Sequence, residues 1–284
     1  MIPLEDFFGH LDSFKHKEIF ADIQYPWEAV GRIQLYVEQF LSSLGQGHPH
    51  DLRRLPGVSL QTVLDEEGNI KERMLVTQTA IQESHDIYLE DLGIYIGRNT
   101  VIEPGVIIKS RAIIGEHSEI RQGAYLRGGV IIGNYCVVGH TTEVKNSVFL
   151  DGAEAGHFAY VGDSILGNHV NLGAGTKLAN LQFRTPHEKD TGAISPIKIT
   201  IGEERYETKL TKLGAILGDN VETGCNTVTS PGTLIGRNSW IYPNTTVRKG
   251  LYPPDSIIRA KDNELLSHQT NNEQQHGKDS LVTE

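Results

Sequence analysis

One aliphatic residue every six positions runs through the middle of this chain without a break. Ile96, Ile102, Ile108, Ile114, Ile120, Leu126, Ile132, Val138 and Val144 keep that phase. An amphipathic helix repeats near 3.6 residues and a half-buried strand near 2, so neither produces the spacing. A fixed period is instead the mark of a solenoid, whose units bury their apolar faces only against neighbouring units. Six residues suit one short strand and one corner, with three such sides to a coil. The pattern therefore predicts a mainly β fold, a left-handed parallel β-helix of hexapeptide repeats, over residues 76–260.

The positions after the aliphatics support this reading. Gly97, Gly115, Gly133 and Gly139 follow at a constant phase, where a tight corner leaves no room for a large side chain. After Val144 the phase slips by one residue to Phe149, Ala155 and Val161, then again to Leu166, Leu172 and Leu178. Such slips mark local distortions, which in solenoids lie near functional surfaces. From Phe183 to Leu210 the repeat stops. There SPIKITIGEERYETKL alternates Ile197, Ile199 and Ile201 with polar residues around Gly202-Glu203, the pattern of an inserted β-hairpin at about 183–210. The phase returns at Leu217, Thr223, Thr229, Ile235, Ile241 and Val247.

Both ends depart from the repeat. Ala29, Val30, Ile33, Tyr36, Val37, Phe40, Leu41 and Leu44 trace a helical stripe, with Pro26 suited to its first turn. Leu4, Phe7, Phe8 and Leu11 suggest a shorter helix before it. Residues 1–75 are thus expected to form a small helical attachment that covers the open end of the solenoid. After Lys261 the chain turns polar, and 261–284 is expected to be a disordered tail.

Composition narrows the function. A formal charge of −10 without a basic run argues against nucleic acid as a partner. No stretch of 18 apolar residues offers a membrane span, and the amino terminus lacks the pattern of a secretory signal. Cys136 and Cys225 have neither metal nor redox spacing and read as small, reduced, buried side chains. These features predict a cytoplasmic protein. No pair among His117, His140, His157 and His169 has the five-residue spacing of a zinc lyase on this fold, so no metal is expected.

The richest stretch is 126–180, LRGGVIIGNYCVVGHTTEVKNSVFLDGAEAGHFAYVGDSILGNHVNLGAGTKLAN. It resembles the acetyltransferase half of bifunctional UDP-N-acetylglucosamine pyrophosphorylase/glucosamine-1-phosphate N-acetyltransferase, with its patterns LRPGA, VGNxxExK, AGHLxYxGD and NVNxGAGTxxxN. More weakly, LGAILGDNVETGCNTVTSPGTLIGRNSWIYP resembles the carboxyl-terminal half of archaeal-type sugar-1-phosphate nucleotidylyltransferases. The resemblance implies a transferase that uses acetyl-CoA to acylate an amino sugar 1-phosphate. It implies His157 as general base, Arg127 and Lys145 on the sugar phosphate, and Tyr160, Asn171 and Asn180 on the sugar. Ala174 and Gly175 would lie near the thioester. It also implies a homotrimer with donor sites between subunits. Leu181 departs from the pattern, which has Tyr there. The nucleotidylyltransferase fingerprint is absent, and some 75 residues before the repeat are too few for a nucleotide-binding α/β domain.

The chemistry of these residue types fits the implied reaction. Attack on a thioester requires a free amine, and imidazole accepts a proton near neutral pH. Phosphate calls for fixed cations, and the amides of Gly173-Ala174-Gly175 are candidates for stabilising an oxyanion. The alternative is a non-catalytic sugar-nucleotide-binding or scaffold protein built on the same fold, since a fold does not fix a function.

Overall fold

A computed structural model describes residues 2–44 and 57–260. From Ile94 onward the chain makes short strands joined by corners and returns to the same side at every third strand, a parallel β-helix. The first face carries Ile94–Ile96, Ala112–Ile114, Val130–Ile132, Ser147–Phe149 and Ile165–Leu166. The second carries Val101–Ile102, Glu119–Ile120, Val137–His140, Glu154–His157 and Asn171–Leu172. The third carries Ile107–Lys109, Tyr125–Leu126, Glu143–Lys145, Tyr160–Gly162 and Lys177–Leu178. All nine periodic aliphatics point inward, each at most 1% exposed, and share one continuous core.

The phase slips have a definite place. Ile114 pairs with Ile132, 18 positions on, whereas Ile132 pairs with Phe149 and Phe149 with Leu166, 17 positions on. The missing residue is lost where the third face turns into the first, because Val144 to Phe149 covers five positions and Leu126 to Ile132 covers six. Asn146 and Asp163 make these tightened corners at φ of 45° and 49°, a region that Asn and Asp tolerate better than most side chains.

The insertion leaves the stack intact. Leu166 pairs directly with Leu217, so the coil closes across the excursion. Lys198–Ile201 and Glu204–Glu207 form the expected antiparallel hairpin, with Gly202 at φ 60° in its turn. A short helix, Pro186–Thr191, was not anticipated; Thr185 and Glu188 cap it reciprocally.

The amino-terminal segment is placed differently from expectation. It begins with three 3-10 turns, Leu4–Asp6, Leu11–Ser13 and Lys17–Phe20, followed by an α-helix, Glu28–Ser43. These do not close the open end but lie along the outside of the first face. There Ile113, Ile131, Val148, Ile165, Ile216 and Leu234, which pair in register along its strands, form a second apolar cluster with Phe7, Trp27, Ile33 and Val37. Ile197 and Ile199 of the inserted hairpin join the same cluster. The first face therefore lacks the in-out alternation of the others: its three-residue strands from Ile94 to Ile235 are buried at every position.

The open end is instead sealed by antiparallel strands. Val58–Leu64 and Ile70–Thr77 pair as a hairpin, the latter adding to Ile107–Lys109. Ile87–Leu89 adds to Ile94–Ile96. Leu75 and Ile81 plug the inner core. The segment expected to be helical thus contains strands, which hydrogen-bond directly to the exposed sheet edges. The tail expected to be disordered, 261–284, lies outside the described residues.

Candidate functional site

Two neighbouring groups of side chains stand on the outer surface beside the third face. The first lies at the tightened corners. Lys145 follows Arg127 by one coil, and Gly162 follows Lys145. Arg127 Nη1 bonds Glu143 Oε1 at 2.6 Å, and Lys145 Nζ stands 3.5 Å from Asp163 Oδ2. Asp163 is 5% exposed and also accepts from Asn146 Nδ2 at 2.9 Å and Asn180 Nδ2 at 2.5 Å. Asn146 in turn accepts from Gln34 Nε2 of the amino-terminal helix at 3.2 Å.

Tyr160 completes this group. A Cβ on Gly162 would stand 2.6 Å from Tyr160 Oη and 2.7 Å from Asn180 Nδ2, so the absence of a side chain there lets phenol and amide meet. Burial, then the charges of Glu143 and Asp163, raise the Tyr160 pKa and keep the phenol protonated. The bond to Glu143 raises that of Arg127. Sequence reading assigned Arg127, Lys145, Tyr160 and Asn180 here but missed Glu143 and Asp163, the carboxylates that hold them. The signal was present in the same motifs, as the Glu of HTTEVK and the Asp of YVGD.

The second group lies where the second face turns into the third. His157 ends Glu154–His157 in register with His140 of the coil above, and both are exposed. Among the described residues its ring has no hydrogen-bond partner; its neighbour is the Phe158 ring, 6.3 Å away between centroids. The Gly175 amide donates to the His157 carbonyl at 3.1 Å, which seats the Gly173-Ala174-Gly175 turn one coil below. Gly173 N is taken by the carbonyl oxygen of Thr223 at 2.9 Å and its hydroxyl at 3.0 Å. Of the three amides considered for an oxyanion, that of Ala174 alone has no partner among the described residues. Asn171 is exposed on the second face, paired in register with Glu154. It stands apart from the corner that holds Tyr160 and Asn180.

The cysteines divide. Cys136 is buried, and burial pushes its thiol up to about 12, whereas Cys225, expected inside, is exposed. Cys225 sits one coil below the Gly173-Ala174-Gly175 turn, its neighbour Asn226 donating to the Ala174 carbonyl at 2.8 Å. Among the described residues no three His, Cys, Asp or Glu side chains converge as a metal site would require. No described helix is long and apolar enough to cross a membrane.

Residues 108–230, which hold both groups, match the family described as the GMPPB C-terminal domain. A bifunctional sugar-1-phosphate nucleotidylyltransferase/acetyltransferase of Sulfurisphaera tokodaii is 36% identical over 166 residues, 52% of this chain and 39% of that protein. The chain is a homologue of these bifunctional transferases. A second homologue, the bifunctional protein GlmU of Methanococcus vannielii, is 32% identical over 231 residues, 78% of this chain and 47% of the relative. The chain thus spans less than half the length of either homologue. A solved acetyltransferase domain of PglB from Neisseria gonorrhoeae FA1090 matches 57% of this chain and 52% of that one, with 10% identity and a TM-score of 0.23.

Proposed function

We propose that this chain is a coenzyme A-dependent N-acyltransferase whose acceptor is an amino sugar 1-phosphate such as glucosamine 1-phosphate and whose donor is acetyl-CoA. It would serve the supply of UDP-N-acetylglucosamine for cell-envelope sugars. The observation that carries the reading is the outward His157, with the Gly173-Ala174-Gly175 turn hydrogen-bonded to its carbonyl and the Tyr160 corner beside it. A base and an amide donor one coil apart are what acyl transfer to an amine requires.

In this reading the His157 imidazole takes a proton from the acceptor ammonium. The freed amine attacks the thioester carbon, and the Ala174 amide stabilises the oxyanion that forms. The carbon–sulfur bond then breaks, the nitrogen gives up its second proton to the departing sulfur, and the neutral amide and free thiol are left while His157 returns its proton to solvent. Arg127 and Lys145 exchange their bonds to Glu143 and Asp163 for the sugar phosphate. Tyr160 and Asn180 bond sugar hydroxyls, Asn171 approaches the sugar from the second face, and Ala174 with Gly175 flank the thioester. Each group is open to solvent in a single chain, which favours a threefold homo-oligomer whose neighbour closes the site. The two free thiols suit a cytoplasmic setting.

Thiol release from acetyl-CoA in the presence of glucosamine 1-phosphate tests the activity, and sedimentation tests the assembly against the 31.4 kDa of one chain. Leu181, 41% exposed beside Asn180, favours the second reading, a binding or scaffold protein. Silence across a panel of amino sugar phosphates would establish that one instead.

A further inference from the structure

The cations assigned to the sugar phosphate are not where unbalanced positive charge lies. Arg127 faces Glu143 and Lys145 faces Asp163, so that corner carries two cations against two carboxylates. A different grouping stands between the inserted hairpin and the last coils. There a cleft of about 420 Å³ is lined by Gln182, Ser195, Lys198, Thr200, Arg205 and Lys249. Its volume falls within the range of small-molecule sites, about 300–1,000 Å³.

The cleft is built rather than incidental. Lys198 and Arg205 come from opposite strands of the hairpin, with Thr200 directly across from Arg205. Lys249 comes from the coil beneath, and its stem lies beside Gly232, where Ile197 and Ile199 also pack. Such packing fixes the aliphatic part and leaves the ammonium at the rim. Glu207 answers these charges from the hairpin. It bonds Lys198, and the charges of Lys198 and Arg205 lower its pKa. Neither Arg205 nor Lys249 has an ion-pair partner among the described residues. Among the described residues three cations stand against two carboxylates, Glu207 on the hairpin and Glu188 behind Ser195, which leaves a local excess of positive charge in a chain whose formal net charge is −10. On the same walls Gln182 Nε2 donates to the Ser195 carbonyl at 3.3 Å and Ser195 donates to the Glu188 carboxylate, so among the described residues the Thr200 hydroxyl is the neutral donor left beside the cations.

We infer that this cleft is a second anion site, separate from the Arg127 and Lys145 corner, and that it takes the phosphate groups of a small phosphorylated molecule. Arg205 supplies planar paired donors and Lys249 a point charge, a combination suited to a diphosphate or a phosphate ester. Two of its three cations, Lys198 and Arg205, belong to the insertion, which leaves the repeat altogether, so the coil periodicity did not demand their charges.

Calorimetric titration of the full chain with inorganic pyrophosphate tests the inference without reference to turnover. The expected result is binding that weakens as salt is raised and that drops at least about tenfold in the double variant Arg205→Ala, Lys249→Ala, with Lys145→Ala unaffected. Both replaced side chains are exposed, so an unchanged melting temperature shows that the fold survives. Displacement of pyrophosphate by adenosine 3′,5′-bisphosphate would assign the cleft to the phosphate end of coenzyme A, and displacement by UDP to a sugar nucleotide; either supports it. No binding by the unaltered chain, equal binding by the double variant, or loss on Lys145→Ala overturns it. Failure of acetyl transfer would leave this result standing.

Discussion

Gly175 donates its amide proton to the carbonyl oxygen of His157 at 3.1 Å. One bond between coils thus holds the turn that contains the Ala174 amide, unpartnered among the described residues, against the backbone of the exposed histidine. Stacked coils make such relationships cheap, because every coil repeats the corner of the one above and chemistry can be divided between successive turns of the same ridge.

Replacement of His157 by Gln should lower turnover by about 10²- to 10⁴-fold, the usual worth of a positioned base. The ring is exposed and makes no hydrogen bond among the described residues, so the melting temperature should hold. Steady-state kinetics beside thermal denaturation check this, and a variant with full turnover would remove His157 from the reaction.

Asp163→Ala should do the opposite and affect both fold and acceptor. Three side chains, Lys145, Asn146 and Asn180, meet on this buried carboxylate. Stranding a buried polar partner costs about 1–3 kcal/mol. The expected outcome is a lower denaturation midpoint together with a raised acceptor KM, because Lys145 and Asn180 lose their anchor.

Gly162→Ala probes the meeting of Tyr160 and Asn180 directly. Its methyl group would stand 2.6 and 2.7 Å from the two side chains, which can swing outward. Acceptor kcat/KM should fall about tenfold or more, as displacement of positioning groups does, with a smaller loss of stability than in Asp163→Ala because Asn180 alone leaves the carboxylate. An unaltered kcat/KM would show that the pair does not touch the acceptor.

Acid should weaken the amino-terminal layer through His16. This side chain is 2% exposed, and burial, then the charge of Lys15, lowers its pKa to about 3 from 6.5. Above the unfolded value both states are neutral and pH has no effect through this group. Below it the unfolded chain takes up a proton that the folded chain refuses, so stability falls with pH until about 3, by up to about 1.4 kcal/mol per pH unit. Melting temperatures measured from pH 7 to 4 should show this slope, and His16→Gln should flatten it.

Ile131→Asp should release the layer over the first face. Ile131 points away from the inner core yet is 0% exposed, held in the cluster with Trp27, Ile33 and Val37. An unpaired charge there is costly, so limited proteolysis should cut residues 2–44 first while the inner coil, held by Ile132 and its neighbours, persists.

The sequence by itself determined the coil. A residue such as Ile114 reports its environment through its neighbours six positions away, and that local rule fixed the faces, the inward side and the inserted hairpin. The motifs likewise singled out Arg127, Lys145, His157 and Tyr160 as candidates. What only the tertiary structure decided were contacts with no fixed period. Periodicity marks Ile132 as inward but says nothing of what covers Ile131, so the second core and the sideways placement of the helix Glu28–Ser43 were not legible. Glu143 and Asp163 carried no assignment until coil stacking set each beside a cation. Lys198, Arg205 and Lys249 acquired a common cleft only when the hairpin folded back on the last coils, because charges far apart in the chain carry no sign of shared space until the backbone between them is closed.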